Sequence, residues 1–228
     1  MKTCKLKSTT LVVFAVMMFC TLLALPSSWA GTQLWNFEKD AKDWKVANGD
    51  WKVEGGVYKE TSGAVPAMHS LIGEDNWDDY AVEAKIRLDQ GNWAGLVFRA
   101  QSEMEYYIYY MNVPDNKSEL WKHTKPAFDS RANISQIPAV GKVKIKNNEW
   151  IDFKVVTEGD KFQLWINGEL QHEDKDSQYK TGKIGVWAWQ TQASFDNVKV
   201  TGKNIKDTLA VEPRNKLAIT WGRLKQTN

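Results

Sequence analysis

The chain has almost no cysteine. Of its 228 residues only Cys4 and Cys20 are thiols, and both fall within the first twenty. A mature protein that loses that segment has no disulfide frame, no zinc–thiolate site and no cysteine nucleophile. Histidine is nearly as scarce. His69, His123 and His172 are scattered, with no H-x-x-x-H or H-E-x-x-H spacing, which argues against zinc. There is no nucleophile elbow and no phosphate-cradling glycine loop. No apolar run is long enough to span a bilayer: the stretch 11–25 holds about 15 such residues, short of the roughly 20 required. Lys2, Lys5 and Lys7 precede that stretch, and Pro26 and Ser28-Trp29-Ala30 follow it, the pattern of a signal peptide cleaved after Ala30. The expectation is an exported protein, secreted or periplasmic, with no stable membrane insertion after cleavage. An excess of one charge is also missing. The first thirty residues carry three of the 30 basic side chains and none of the 28 acidic ones, so 27 face 28 in the remainder. With no basic surplus to hold phosphate backbones, nucleic acid is not expected as a partner.

The sequence does contain alternation. Tyr80, Val82, Ala84, Ile86 and Leu88 point one way, and Glu83, Lys85, Arg87 and Asp89 the other. Phe153 and Val155 alternate with Asp152 and Lys154, and Phe162, Leu164 and Ile166 with Gln163, Trp165 and Asn167. This period of two is the strand signature. Turn signals separate the runs: Gly55-Gly56, Gly91-Asn92, Gly159-Asp160, Asn167-Gly168 and Thr181-Gly182. No window from 31 to 200 has a helical period. The pattern predicts an all-β protein, a sandwich of two antiparallel sheets over 31–202, after a signal segment at 1–30 and before a C-terminal tail at 203–228. Within the tail Leu217, Trp221 and Leu224 have helical spacing. The stretch 125–141 reads as one long irregular connection.

Aromatic residues are abundant, with twelve tryptophans of which eleven follow Ala30. Strand parity sorts them. With Leu96, Phe98, Ile108, Leu120, Ile184 and Val186 turned inward, Trp93, Arg99, Tyr107, Tyr109, Glu119, Trp121, His123, Trp187 and Trp189 share the opposite, concave face. Flat rings beside charged groups suit a sugar, whose C–H face stacks on an indole while its hydroxyls find hydrogen bonds. The expected partner is therefore a carbohydrate, an oligo- or polysaccharide, bound by Trp93, Arg99, Tyr107, Tyr109, Trp121, Trp187 and Trp189. On the same face His123 and Glu119 are the candidates for acid–base chemistry.

The runs WDDYAVEAKIRL, AGLVFRAQ, YYIYYMN, WIDFKVVTEGDKFQLWINGE and TGKIGVWAWQTQASFDNVKV resemble successive strands of concanavalin A-like sugar-handling domains. The nearest likeness is to the bacterial 3-keto-disaccharide hydrolase group, beside laminin-G-like domains and carbohydrate-binding modules. The resemblance covers roughly 34–201. It implies a jelly roll closed by its first and last strands, LWNFEKDAKDW and SFDNVKVT. It also implies a structural calcium ion where those strands meet, held by Glu38 and Asp196 with carbonyls of Asn36, Gly49 or Asp50. The Glu-x-Asp-x-x-Glu strand of laminarinase-type hydrolases is missing. Three functions stay open: a non-catalytic carbohydrate-binding domain, a 3-keto-disaccharide hydrolase or lyase, and a laminin-G-like adhesion domain.

Overall fold

The structure is a computed structural model that describes residues 30–64, 67–127, 130–138 and 143–208. The expected signal segment and the helical spacing in the tail lie outside the described residues, apart from Ala30 and the tail's first six positions.

Fifteen strands form two antiparallel sheets, with no helix among the described residues. The eight-stranded sheet runs β13 (Glu169–Lys175), β12 (Lys161–Ile166), β11 (Ile151–Glu158), β6 (Tyr80–Gln90), β15 (Gln192–Gly202), β4 (Val57–Glu60) and β3 (Trp51–Glu54). Its eighth strand, β1 (Gly31–Trp35), also pairs with β15. The seven-stranded sheet runs β10 (Arg131–Pro138), β9 (Lys117–His123), β8 (Glu105–Asn112), β7 (Trp93–Ser102), β14 (Lys183–Trp189), β5 (Met68–Ile72) and β2 (Lys45–Asn48).

The alternation seen in sequence is the burial pattern. Tyr80, Val82, Ala84, Ile86 and Leu88 are all buried and meet Phe98, Tyr109 and Val186 of the other sheet. Burying such side chains contributes about 1.5–3 kcal/mol each and is what holds the sheets together. The predicted hairpin at Asn167-Gly168 is there, with both residues at positive φ (49° and 77°) joining β12 to β13. The jelly-roll closure is there too, because Gly31 to Trp35 pair with Gly202 to Val198. The opening strand is shorter than LWNFEKDAKDW suggested: pairing stops at Trp35, and Phe37 takes a positive φ of 53° that ends the extended run. The 125–141 segment is not wholly irregular, since β10 lies within it as an edge strand on β9.

Candidate functional site

The outer face of the seven-stranded sheet carries a row of aromatic rings. Register fixes the row: Trp187 stands beside Gly95, Gly95 beside Tyr110, and Tyr110 beside Glu119. Gly95 lies under the row and must be glycine, because a Cβ there would come within 2.1 Å of the Tyr109 carbonyl oxygen and 2.5 Å of the Tyr110 Cα. With no side chain at that point the Tyr110 and Trp187 rings meet above it, centroids 5.1 Å apart. One step along the strands, Trp93 and Trp189 stand side by side with centroids 4.7 Å apart. On the other flank Trp121 packs under the Arg131 guanidinium at 5.3 Å. Trp93, Tyr110, Trp121 and Trp189 are half-buried and present ring surface to solvent.

Glu119 organises this face. Its carboxylate accepts hydrogen bonds from the Tyr110 hydroxyl (2.8 Å), the Trp121 indole N–H (2.8 Å) and the Asn112 amide (2.9 Å), with the Lys117 ammonium at 3.4 Å. Burial pushes its pKa up, but the Asn112, Trp121 and Tyr110 donors and the Lys117 charge outweigh burial and hold it below the ordinary value. A carboxylate so fully engaged stays ionised and cannot donate a proton. It is a clamp that sets the angles of two rings.

Beneath the rings, Tyr106 stacks on His123 at 4.5 Å and contacts His69 at 5.1 Å. His69 is on β5, separated from β8 by β14 and β7. In a flat sheet that gap is about 14 Å, so ring contact requires the face to curl inward, as a concave binding surface does. His123 is 2 % exposed and His69 is fully buried, with a pKa lowered by burial to about 4. Neither is open to a substrate proton.

Six of the residues expected on this face are there: Trp93, Glu119, Trp121, His123, Trp187 and Trp189. Three are not. Tyr107 and Tyr109 point into the sandwich, where Tyr107 stacks on Phe98 and donates its hydroxyl to Asp176, and Tyr109 packs on Phe153. Ile108 misled the parity argument because β8 is buried on both sides: Ile108 packs under the outer aromatic rings, not in the core. Arg99 fails for a different reason. It takes a positive φ of 49° within an irregularity in the β7–β8 pairing, which reverses parity there. Its guanidinium is buried at one end of the sandwich, donating to the carbonyls of Gly159 (2.7 Å), Tyr179 (3.3 Å) and Asp78 (3.4 Å). Sequence reasoning also missed Tyr106, Tyr110, Asn112 and Arg131, of which the first three follow at once when β8 is turned over.

Glu38 and Asp196 do face one cavity, of about 430 Å³, with Arg87 and Trp150 beside them. Burial raises the Asp196 pKa and the Glu38 charge adds to that, against a hydrogen bond from the Asn197 N–H. Lys59, Lys85 and Arg87 line the same cavity, so a calcium ion there would need carbonyls or water beside the two carboxylates. Among the described residues no group of three or more acidic, histidine or cysteine side chains could hold a metal. Gly49 and Asp50, expected as carbonyl donors, border a different cavity with Val46 and Trp51.

Known proteins match this architecture. The levanase of Bacillus subtilis is 27% identical over 181 residues, which is 78% of this chain and 25% of the levanase. The chain thus spans about a quarter of that relative's length. The carbohydrate-binding module CBM66 from Bacillus subtilis superimposes with a TM-score of 0.60 at 22% identity, over 69% of this chain and 94% of the module. The catalytic domain of an endo-1,3-beta-glucanase (laminarinase) from Thermotoga petrophila does so with a TM-score of 0.54 at 10% identity, over 76% of this chain and 97% of that one. At such identities these two structures share the fold. Among the described residues no helix is long and apolar enough to cross a membrane. The model of the 3-keto-alpha-glucoside-1,2-lyase-like domain matches residues 30–201, and the chain belongs to that family.

Proposed function

We propose that this protein is an exported carbohydrate-binding domain that holds a poly- or oligosaccharide on the outer face of the seven-stranded sheet and does not cleave it. The observation that carries this reading is the ring row Trp93–Trp189, Trp187–Tyr110 and Trp121, oriented by Glu119. Aromatic faces supply stacking area at little entropic cost, and the exposed Arg131 guanidinium can donate to hydroxyls. The name of the levanase adds a fructan to the saccharides worth trying.

Catalysis is the second reading, favoured by the family itself. One further observation speaks for it: Asp115 and Glu119 share the Asn112 amide and the Lys117 ammonium, so two carboxylates lie close together. Glycoside hydrolysis pairs one protonated carboxyl with one ionised one, and Glu119, held ionised, could fill only the second role.

The test is binding and turnover on one sample. The mature protein is run by affinity electrophoresis in levan, laminarin, xylan and starch, and the same polysaccharides are incubated with it and analysed for released sugars. Retardation in at least one gel, markedly weakened by Trp121→Ala, with no sugar released, is the expected result. Release of sugar that stops in Glu119→Gln would establish the enzyme instead.

The structural calcium ion belongs to the same proposal, with Glu38 and Asp196 as its carboxylate ligands. A chelator is expected to lower Tm, and Asp196→Asn to remove that response. An unchanged Tm on chelation would dismiss the ion.

A further inference from the structure

The other sheet has an outer face too, and a cavity of about 620 Å³ lies on it. That volume is within the roughly 300–1,000 Å³ common to small-molecule sites. Its floor follows from register. Leu34, Lys199, Glu83, Lys154 and Trp165 stand in line across β1, β15, β6, β11 and β12. They face away from the core, because the residues alternating with them, Val200, Val82, Val155 and Leu164, are fully buried. Five strands span about 19 Å, room for more than one sugar ring.

The floor is charged but paired. Glu83 takes the Lys199 ammonium at 2.7 Å and the Lys154 ammonium at 3.3 Å, and Lys85 reaches Asp152 at 2.8 Å. A polyanion would meet Glu83 and Asp152, and an apolar partner would have to desolvate three ammonium groups. An indole at one end and Leu34, 39% exposed, at the other offer apolar surface. The matching ligand has apolar ring faces, many hydroxyls and no net charge. We infer that this trough is a second saccharide-binding site, in which a neutral sugar ring packs against Trp165 and its hydroxyls bond to Lys154, Asp152 and Lys85. It lies on the opposite side of the sandwich from the aromatic row and shares no residue with it. A chain of this protein therefore grips polysaccharide on two faces, which raises avidity or cross-links strands.

Fluorine NMR of the 5-fluorotryptophan-labelled mature protein tests this directly. The Trp165 resonance is assigned with Trp165→Phe, and laminarihexaose, xylohexaose, maltohexaose and fructo-oligosaccharides are titrated in turn. The expected result is a saturable shift of the Trp165 resonance with at least one probe. The shift survives in Trp187→Ala, and its midpoint rises about tenfold in Lys154→Ala, the loss of roughly one charge-assisted hydrogen bond. A Trp165 resonance that stays fixed with every probe, in a protein with native Tm, overturns the inference. So does a shift that disappears in Trp187→Ala, which would make it an echo of binding on the far face.

Discussion

At the scale of single residues the aromatic face depends on side chains that are almost wholly buried. Glu119 is 4 % exposed, yet it sets the Tyr110 and Trp121 rings. His69 lies beneath the same face and gives it a pH limit. In the unfolded chain this histidine takes up a proton near its ordinary 6.5, whereas burial delays uptake in the fold until about 4. Between those values acid favours the unfolded state, so stability is complete above 6.5 and declines as pH falls toward 4. The full difference is on the order of 3 kcal/mol. Chemical denaturation between pH 7 and pH 4 should show this decline, and His69→Gln should flatten it. A decline of equal slope in the variant would assign the acid sensitivity to other groups.

At the scale of elements the contrast between legible and illegible strands is instructive. β6 and β11 alternate apolar with charged residues, and β12 sets the buried Phe162, Leu164 and Ile166 against Lys161, Gln163 and Trp165, so their faces could be read without ambiguity. β14 and β9 could be read as well, because Val186 and Leu120 are their obvious inward members. β8 could not. Tyr106 to Met111 are apolar throughout and five of the six are fully buried, since the strand has a core on one side and an aromatic cluster on the other. Alternation carries no information in such a strand. The partners do: Gly95, opposite Tyr110, marks where a large ring must cross. Arg99 was illegible for another reason, a single positive-φ residue that turns the side chain inward. Placed there, it is structural. Arg99→Met should cost on the order of 1–3 kcal/mol, the penalty for a buried acceptor left unpaired, by leaving the carbonyls of Gly159, Tyr179 and Asp78 without their donor. Urea denaturation measures that loss, and saccharide retardation of the folded variant should equal the parent's. A variant that folds normally and loses retardation would return Arg99 to the binding face.

At the scale of the whole molecule, the two sheets present outer faces of different character. One is a row of indoles and phenols clamped by a single carboxylate, the other a ladder of paired charges between Trp165 and Leu34. The terminal strands close the sandwich, as Gly31 to Trp35 lie along β15 and the Thr208 N–H reaches back to the Thr32 carbonyl at 3.0 Å. The first and last described segments thus depend on one another, and closure holds both faces in place without a disulfide. The central claim is that saccharide is held on the outside of the seven-stranded sheet, and the two sides of β8 test it most directly. Affinity electrophoresis in the retarding polysaccharide should show Tyr110→Ala losing much of its retardation, and Tyr107→Phe retarded like the parent despite a lower Tm. Free migration of the Tyr107 variant, with full retardation of the Tyr110 variant, would contradict the account.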